Sequence, residues 1–212
     1  MEPIGIGLPM HIKLTNTGKR FNREWIFRHF EYEFLSGKKY AITGSNGSGK
    51  STLLQVISGS ISHNEGKIEM TLNGSPLIEE NCFQHLSIAA PYLELIEEMT
   101  ATEFLNFHAS LKPLTHSIEY ILSVINLEKA AQKQIRYYSS GMKQRLKLAQ
   151  AFFCPTPLLL LDEPTTNLDA EGISLYHQLI TEHTHQKLVI ISSNDPQEYS
   201  FCDEVIGIAN YK

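Results

Sequence analysis

The chain is poor in the features that mark several large classes of protein. Its 212 residues include three cysteines (Cys82, Cys154 and Cys202), one tryptophan and no long apolar run. Crossing a bilayer as a helix takes about 20 consecutive apolar residues. The most apolar stretch, LAQAFFCPTPLLLL, is shorter than that and is interrupted by Pro155 and Pro157. An odd number of widely spaced cysteines argues for neither a disulfide framework nor a zinc site, and suits a reducing cytosol. Positive charge is not in excess either, because 18 Lys and Arg stand against 23 Asp and Glu for a net charge of −5. A protein that wraps nucleic acid carries a basic balance, so no nucleic-acid partner is expected. The start, Met-Glu-Pro, lacks a basic segment followed by an apolar one, so no signal peptide is expected. There is no internal repeat and no low-complexity linker. What is present, 42% hydrophobic and 19% charged residues, is ordinary globular composition. A chain of this length can bury a core without a disulfide or metal staple.

Short apolar runs alternate with longer helical patterns. Lys39–Thr43 (KYAIT) reads as a buried strand, Lys67–Leu72 (KIEMTL) as an alternating strand before an Asn73-Gly74 turn, and Leu158–Leu161, Leu188–Ile191 and Val205–Ala209 as further strands. Residues 100–130 read as mainly helical, with apolar positions at Phe104, Leu105, Phe107, Leu111, Ile118, Ile121, Leu122 and Ile125. Met142, Leu146, Ala149 and Phe153 step by four, three and four, the mark of one helix face. Strands alternating with helices indicate an α/β fold with a mostly parallel sheet. The helical stretch before Tyr138 is expected to form a small subdomain.

The run Gly44-Ser45-Asn46-Gly47-Ser48-Gly49-Lys50-Ser51-Thr52 fits the pattern G-x-x-x-x-G-K-[ST]. It lies where such a loop works, after an apolar strand and before a helix. The glycines let the backbone approach a phosphate closely and turn its N–H groups inward. The helix from Lys50 points its positive end at the same anion. Lys50 is expected to reach the β- and γ-phosphates, and the Ser51 hydroxyl to ligate Mg²⁺. The plain alternative is an ordinary glycine-rich turn.

Asp162 and Glu163 end the run Leu158–Leu161, and ligands of parallel sheets sit at the carboxyl ends of their strands. Asp162 can hold Mg²⁺ through a water, and Glu163 can polarise the water that attacks the γ-phosphate. Alone, an acidic pair after four leucines reads as a helix start. Beside a phosphate loop the catalytic reading is favoured.

Upstream of that pair stands Tyr138-Ser139-Ser140-Gly141-Met142-Lys143-Gln144-Arg145, and after it come Thr165-Thr166-Asn167-Leu168-Asp169. Loop, signature, LLLLDEP and TTNLD in this order resemble the ATP-binding cassette (ABC) ATPases, from about Ile12 to Ala209. The plain reading of Ser139 as a helix N-cap is compatible with this, since a cap also offers N–H groups and a hydroxyl to an anion. The resemblance implies an ABC-type P-loop NTPase core with a mixed sheet, a small N-terminal β region and an inserted helical subdomain near residues 93–150, the whole chain being one nucleotide-binding domain. It implies a head-to-tail dimer, either of two copies or of one copy with a related cassette. Each ATP would lie on Lys50, Ser51 and Asp162 of one chain, under Ser139, Ser140 and Gly141 of the other. Asn167-Leu168-Asp169 matches the D-loop at that interface. Phe21 sits where the family commonly stacks an aromatic on adenine, with Trp25 as competitor; the plain reading of either is a packed aromatic.

Three departures stand out. Pro91 falls near the position of the family's usual glutamine, and Gln84 is too early; Glu94 or a backbone carbonyl is the remaining substitute. Ser193-Asn194-Asp195 has Asn194 where a histidine is usual. Asn194 can donate a hydrogen bond to a γ-phosphate but cannot carry a proton near neutral pH. Ser140 replaces a glycine. His183 and His185, two apart, read as a solvated helix end rather than a metal site. The resemblance thus implies an ATPase using ATP and Mg²⁺ on the cytoplasmic face of a membrane and driving a separate integral-membrane permease. The alternative is a soluble ABC ATPase with weak hydrolysis.

Overall fold

The computed structural model describes residues 8–212. In chain order its elements are β1 (Met10–Phe21), β2 (Glu24–Leu35), β3 (Lys39–Thr43), α1 (Lys50–Ile57), β4 (Glu65–Leu72), β5 (Ser75–Pro76), β6 (Leu86–Ala89), α2 (Ala101–Leu111), α3 (Ile118–Val124), α4 (Ser140–Phe152), β7 (Leu158–Asp162), α5 (Ala170–His183), β8 (Leu188–Ser192), α6 (Pro196–Tyr199) and β9 (Glu204–Gly207). They gather into two compact units. The first takes the described residues up to Leu86 together with Thr156–Glu163 and Gln186–Lys212, and the second takes Ser87–Pro155 and Pro164–His185.

The first unit holds two sheets. One is antiparallel with strand order β2-β1-β4-β5. Its 12-residue strands β1 and β2 were not legible as strands, and the reason is physical. The pairing of β1 and β2 shifts register between Leu14 and Thr17 and again near Lys19, and Asn16 and His29 adopt positive φ of 50° and 54°. Each bulge breaks the two-residue alternation that identifies a strand. His29 Nδ1 and Asn16 Oδ1 bond at 2.6 Å across the distortion. The inward residues Ile12, Leu14, Phe27, Phe30 and Phe34 are fully buried. The Asn73-Gly74 turn closes the β4–β5 hairpin with both residues at positive φ, as a two-residue loop of this twist requires.

The other sheet runs β7-β8-β3-β9 within this unit, with every pair parallel. Strands β7 and β8 are buried at every position, which is why both read as unbroken apolar runs rather than alternating ones. Helix α1 packs on β7 and β8 through a face that buries Leu53, Leu54, Val56 and Ile57. Strand β9 stops at Gly207, and Ile208–Tyr211 turns into a 3₁₀ helix, so the expected strand over Val205–Ala209 ends early. There Tyr211 lays its ring 4.4 Å from that of Phe30, a contact with no local sequence signal.

The second unit is mainly helical, and each of its four α-helices begins at a capping side chain. Thr100 and Glu103 form a reciprocal capping box on α2, Ser117 caps α3, Ser139 caps α4 and Asp169 caps α5. Helix α4 buries Leu146, Leu148, Ala149, Ala151 and Phe152, a wider face than the single stripe expected, because both α2 and α5 pack on it. Of the apolar positions on α2, Phe104 and Leu105 carry the buried face, whereas Phe107 and Leu111 are exposed. The His183 ring lies 4.6 Å from that of Phe153 and close to His116, so it is packed rather than solvated; His185 is exposed. Among the described residues no helix is long and apolar enough to cross a membrane.

Two predictions follow from the first unit's antiparallel sheet. A Cβ on Gly66, whose φ is +81°, would lie 2.3 Å from Asn16 O and 2.4 Å from Thr15 O. Gly66→Ala is therefore expected to lower unfolding free energy by about 2–4 kcal/mol, read as a lower urea midpoint. Glu33, Glu65 and Glu69 are held below the usual glutamate range by hydrogen bonds from Lys13, Arg28 and Lys67. A lowered native pKa contributes stability above the unfolded value, about 4.3, and that contribution is lost as pH falls through the native values. The urea midpoint should drop below about pH 4.5, and less steeply in 1 M salt, since these groups are solvent-exposed and screened.

Candidate nucleotide site

The parallel sheet arranges the site by its register. Ile42 pairs with Ser192, and Ser192 pairs with Asp162, so β8 stands between β3 and β7 and the three carboxyl ends form one row. With strands about 4.8 Å apart, the loop after β3 and the acids ending β7 are about 10 Å apart at the backbone. Ser193 N continues the ladder to Ile42 O at 3.1 Å, and Glu163 N continues it to Ser192 O at 2.9 Å.

The loop after β3 is shaped to receive an anion. Gly44, Gly47 and Gly49 have φ of 151°, 75° and 107°. A Cβ on Gly44 would meet Ser48 Oγ at 2.7 Å, and one on Gly49 would meet Ile26 Cγ2 at 2.5 Å. Helix α1 has Gly49 as its N-cap, no capping side chain and no acid in its first turn, so its leading N–H groups are left for another acceptor. Lys50 is 4% exposed and makes no ion pair among the described residues; its Nζ donates to Gly44 O at 2.8 Å and Ser45 O at 3.3 Å. A buried cation held only by carbonyls is poised for an anionic partner. Ser45, Asn46 and Gly47 form the exposed tip, and Ser51 and Thr52 are half-buried on the first turn of α1.

Three buried polar atoms beside this loop have no hydrogen-bond partner among the described residues: Ser48 Oγ, Ser192 Oγ and Asp162 Oδ1. Two of them end adjacent strands. Orphan groups of this kind are rare in folded proteins, and a bound ion or water is one way they are satisfied. Asp162 is 2% exposed, whereas Glu163 is half-buried with φ +43°. A non-glycine residue costs about 1–3 kcal/mol in that left-handed region, and such strain gathers at functional sites. Asn194, exposed after β8, reaches back to the loop: its Oδ1 accepts from Gly44 N at 3.1 Å and its Nδ2 donates to Asn46 Oδ1 at 3.3 Å.

Of the two aromatic candidates, Phe21 ends β1 and is 48% exposed, with Lys19 Nζ over its ring 5.0 Å from the centre. Trp25 is half-buried, with Arg28 at 4.5 Å and Arg20 at 5.4 Å over its ring. Phe21 is therefore the more exposed of the two rings.

The remaining candidates belong to the second unit. Ser139 Oγ accepts from Met142 N at 3.2 Å as the α4 cap, and Ser140 is an exposed first residue of the helix, so its side chain does not crowd the turn. Pro91 is exposed, and its carbonyl accepts from Lys147 Nζ at 3.1 Å. Thus the backbone at the position of the missing glutamine is tied to α4. Lys143 makes a second tie four residues earlier on α4, to Glu97. These ties, and those of Gln144 and Arg145 to residues 164–171, were not legible, because each joins residues 20 or more apart in sequence.

A glycine loop with its lysine after β3, and a carboxylate pair ending β7 one strand away in the same parallel sheet, define a P-loop nucleotide-binding fold. The profile of the ABC transporter family matches residues 27–166, and the chain belongs to that family of ATP-binding ATPases. It is 32% identical over 197 residues to the uncharacterized ABC transporter ATP-binding protein YybJ of Bacillus subtilis, covering 91% of this chain and 89% of that one. It is 34% identical over 151 residues to the cytochrome c biogenesis ATP-binding export protein CcmA of Xylella fastidiosa, covering 70% and 67%. Among solved structures, a putative ABC transporter ATP-binding protein from Pyrococcus furiosus superposes with a TM-score of 0.80 at 20% identity, over 95% of this chain and 99% of that one. A bacterial Atm1-family ABC exporter with ATP bound superposes at 0.79 and 16% identity, over 97% of this chain but 38% of the exporter chain. Both likenesses confirm the fold.

Gly49→Ala tests the loop. The added methyl needs the space held by Ile26, so ATP affinity should fall at least about tenfold, with about 1–3 kcal/mol of stability lost. Titration with a fluorescent ATP analogue and a urea melt read the two effects.

Proposed function

We propose that this chain is the ATP-binding and hydrolysing subunit of a transporter whose membrane part is a separate permease. It acts on the cytoplasmic face of the membrane as a head-to-tail dimer with a second copy or a related cassette. The observation that carries the reading is the row Ile42–Ser192–Asp162, because it puts the buried Lys50 loop and an orphaned carboxylate oxygen at the ends of nearby strands. Mg²⁺ prefers oxygen ligands and keeps several waters. The partnerless Asp162 Oδ1, with the Ser51 hydroxyl on the first turn of α1, suits that preference, so the residues present fit the ion. When bound, the ion supplies positive charge to the phosphate oxygens.

In this reading Lys50 exchanges its two carbonyl acceptors for β- and γ-phosphate oxygens, and the N–H groups of Ser45 to Thr52 wrap the phosphates. The exposed ring of Phe21 stacks on the adenine. Glu163 accepts a hydrogen bond from the attacking water and takes its proton. Asn194 turns its Nδ2 from Asn46 to the γ-phosphate and holds its geometry, carrying no proton of its own. Ser139, Ser140 and Gly141 of the second copy cover that phosphate with a hydroxyl and the N–H groups of a helix start. The names of the relatives, a transporter ATP-binding protein and an export ATP-binding protein, support transport. Asn194 and Pro91, at positions where the family pattern has histidine and glutamine, favour a second reading: a soluble ABC ATPase with weak hydrolysis. A slow turnover together with failure to recover a membrane protein from detergent extracts would select it.

Glu163→Gln is expected to lower turnover by about 10²–10⁴-fold and to leave an ATP-loaded dimer visible by light scattering. Turnover at the wild-type rate would refute the assignment. Asp162→Asn should remove the dependence of ATP binding on Mg²⁺. It should leave the nucleotide-free melting temperature unchanged or raised, because a buried orphan carboxylate is a liability without its ligand.

A further inference from the structure

Two side chains on the first turns of α4 make long-range bonds that the proposed chemistry does not use. Gln144 is 4% exposed, and its Nε2 donates to Pro164 O at 2.7 Å. Arg145 donates to Asp169 Oδ1 at 3.0 Å and lies 3.6 Å from Glu171 Oε1. Asp169 Oδ1 is at the same time the cap of α5, accepting from Gly172 N at 2.8 Å, and Glu171 Oε1 accepts from Asn126 Nδ2 at 2.7 Å. A Cβ on Gly141 would stand 3.1 Å from Asn167 O, so the two backbones run close there as well. Within the second unit, the start of α4 and residues 164–169 are therefore joined near both ends and in the middle.

Pro164 directly follows Glu163, the residue held at φ +43°. A residue before proline is sterically restricted, and a left-handed non-glycine residue persists only where its surroundings over-determine it. One restraint is the bond from Glu163 N to Ser192 O. The other is on the carbonyl of Pro164, which accepts from the buried Gln144 Nε2. We propose that Gln144, backed by Arg145, is a positioning residue for Glu163. It anchors the carbonyl after the strained residue and ties it to the segment Ser139–Gly141, so the carboxylate keeps its aim only while that segment is in place. The inference rests on Glu163 as the catalytic carboxylate.

The test is Gln144→Met in the full chain, which keeps the length and volume of the side chain and removes its N–H donors. The kcat for ATP should fall at least about tenfold, while KM and the Kd for a fluorescent ATP analogue stay within about twofold, as loss of one bond to a buried carbonyl predicts. Arg145→Lys, which keeps a charge on Asp169, should show the same split in milder form; it serves alone if Gln144→Met does not fold. An unchanged kcat, or a fall in kcat matched by equal rises in KM and Kd, overturns the positioning role. A wild-type chain without turnover, or a Glu163→Gln chain with full turnover, overturns the catalytic assignment instead. The two failures are thereby told apart.

Discussion

The insertion of β8 between β3 and β7 is the constraint on which the site depends. Parallel pairing fixes where each strand ends, and the register Ile42–Ser192–Asp162 brings three loops from distant parts of the chain to one edge. Nothing local in any of the three runs specifies this. It follows from burial: all ten positions of β7 and β8 are buried, and a slip of one residue would exchange the faces of two strands that have no solvent side. Apolar packing of four leucines and of Leu188–Ile191 thus sets the position of a lysine, an aspartate, a glutamate and an asparagine.

Function is visible as local conflict with stability. Among the described residues Lys50 is buried without an acid, Asp162 Oδ1 and Ser48 Oγ are buried without a partner, and Glu163 is held at positive φ. Each of these costs free energy in a chain without ligand, and they gather at the row of strand ends. The second unit shows the opposite pattern. Its helices are capped, and α4 fastens carbonyl and carboxylate partners through Lys143, Gln144, Arg145 and Lys147. Satisfied long-range bonds of this kind stiffen a segment. That suits the proposed dimer, in which the N-terminal serine of this helix meets a second molecule's nucleotide.

The parts legible in the sequence were those set by local chemistry. KYAIT, the glycine loop, the four leucines and LVII fall on β3, the turn into α1, β7 and β8, because burial on both faces makes a strand a continuous apolar run. Ser139 was readable as a cap for the same local reason. Strands β1 and β2 were hidden by bulges at Asn16 and His29, and Val205–Ala209 was misjudged at its end because Ile208 is buried in a 3₁₀ turn rather than a strand. His183 was misjudged because its partners, Phe153 and His116, are remote in sequence. At the candidate site, residue types and loop geometry were readable, whereas the pairing of Asn194 with Gly44 and Asn46 and the ties from α4 depend on tertiary contact.

The most direct test of the account is phosphate release by the purified wild-type chain at saturating ATP, measured against chain concentration with and without Mg²⁺. A site on the β3–β8–β7 edge that a second copy completes predicts Mg²⁺-dependent release whose specific activity rises with concentration and then levels off. A folded chain that releases no phosphate, or releases it equally well without Mg²⁺, would contradict it.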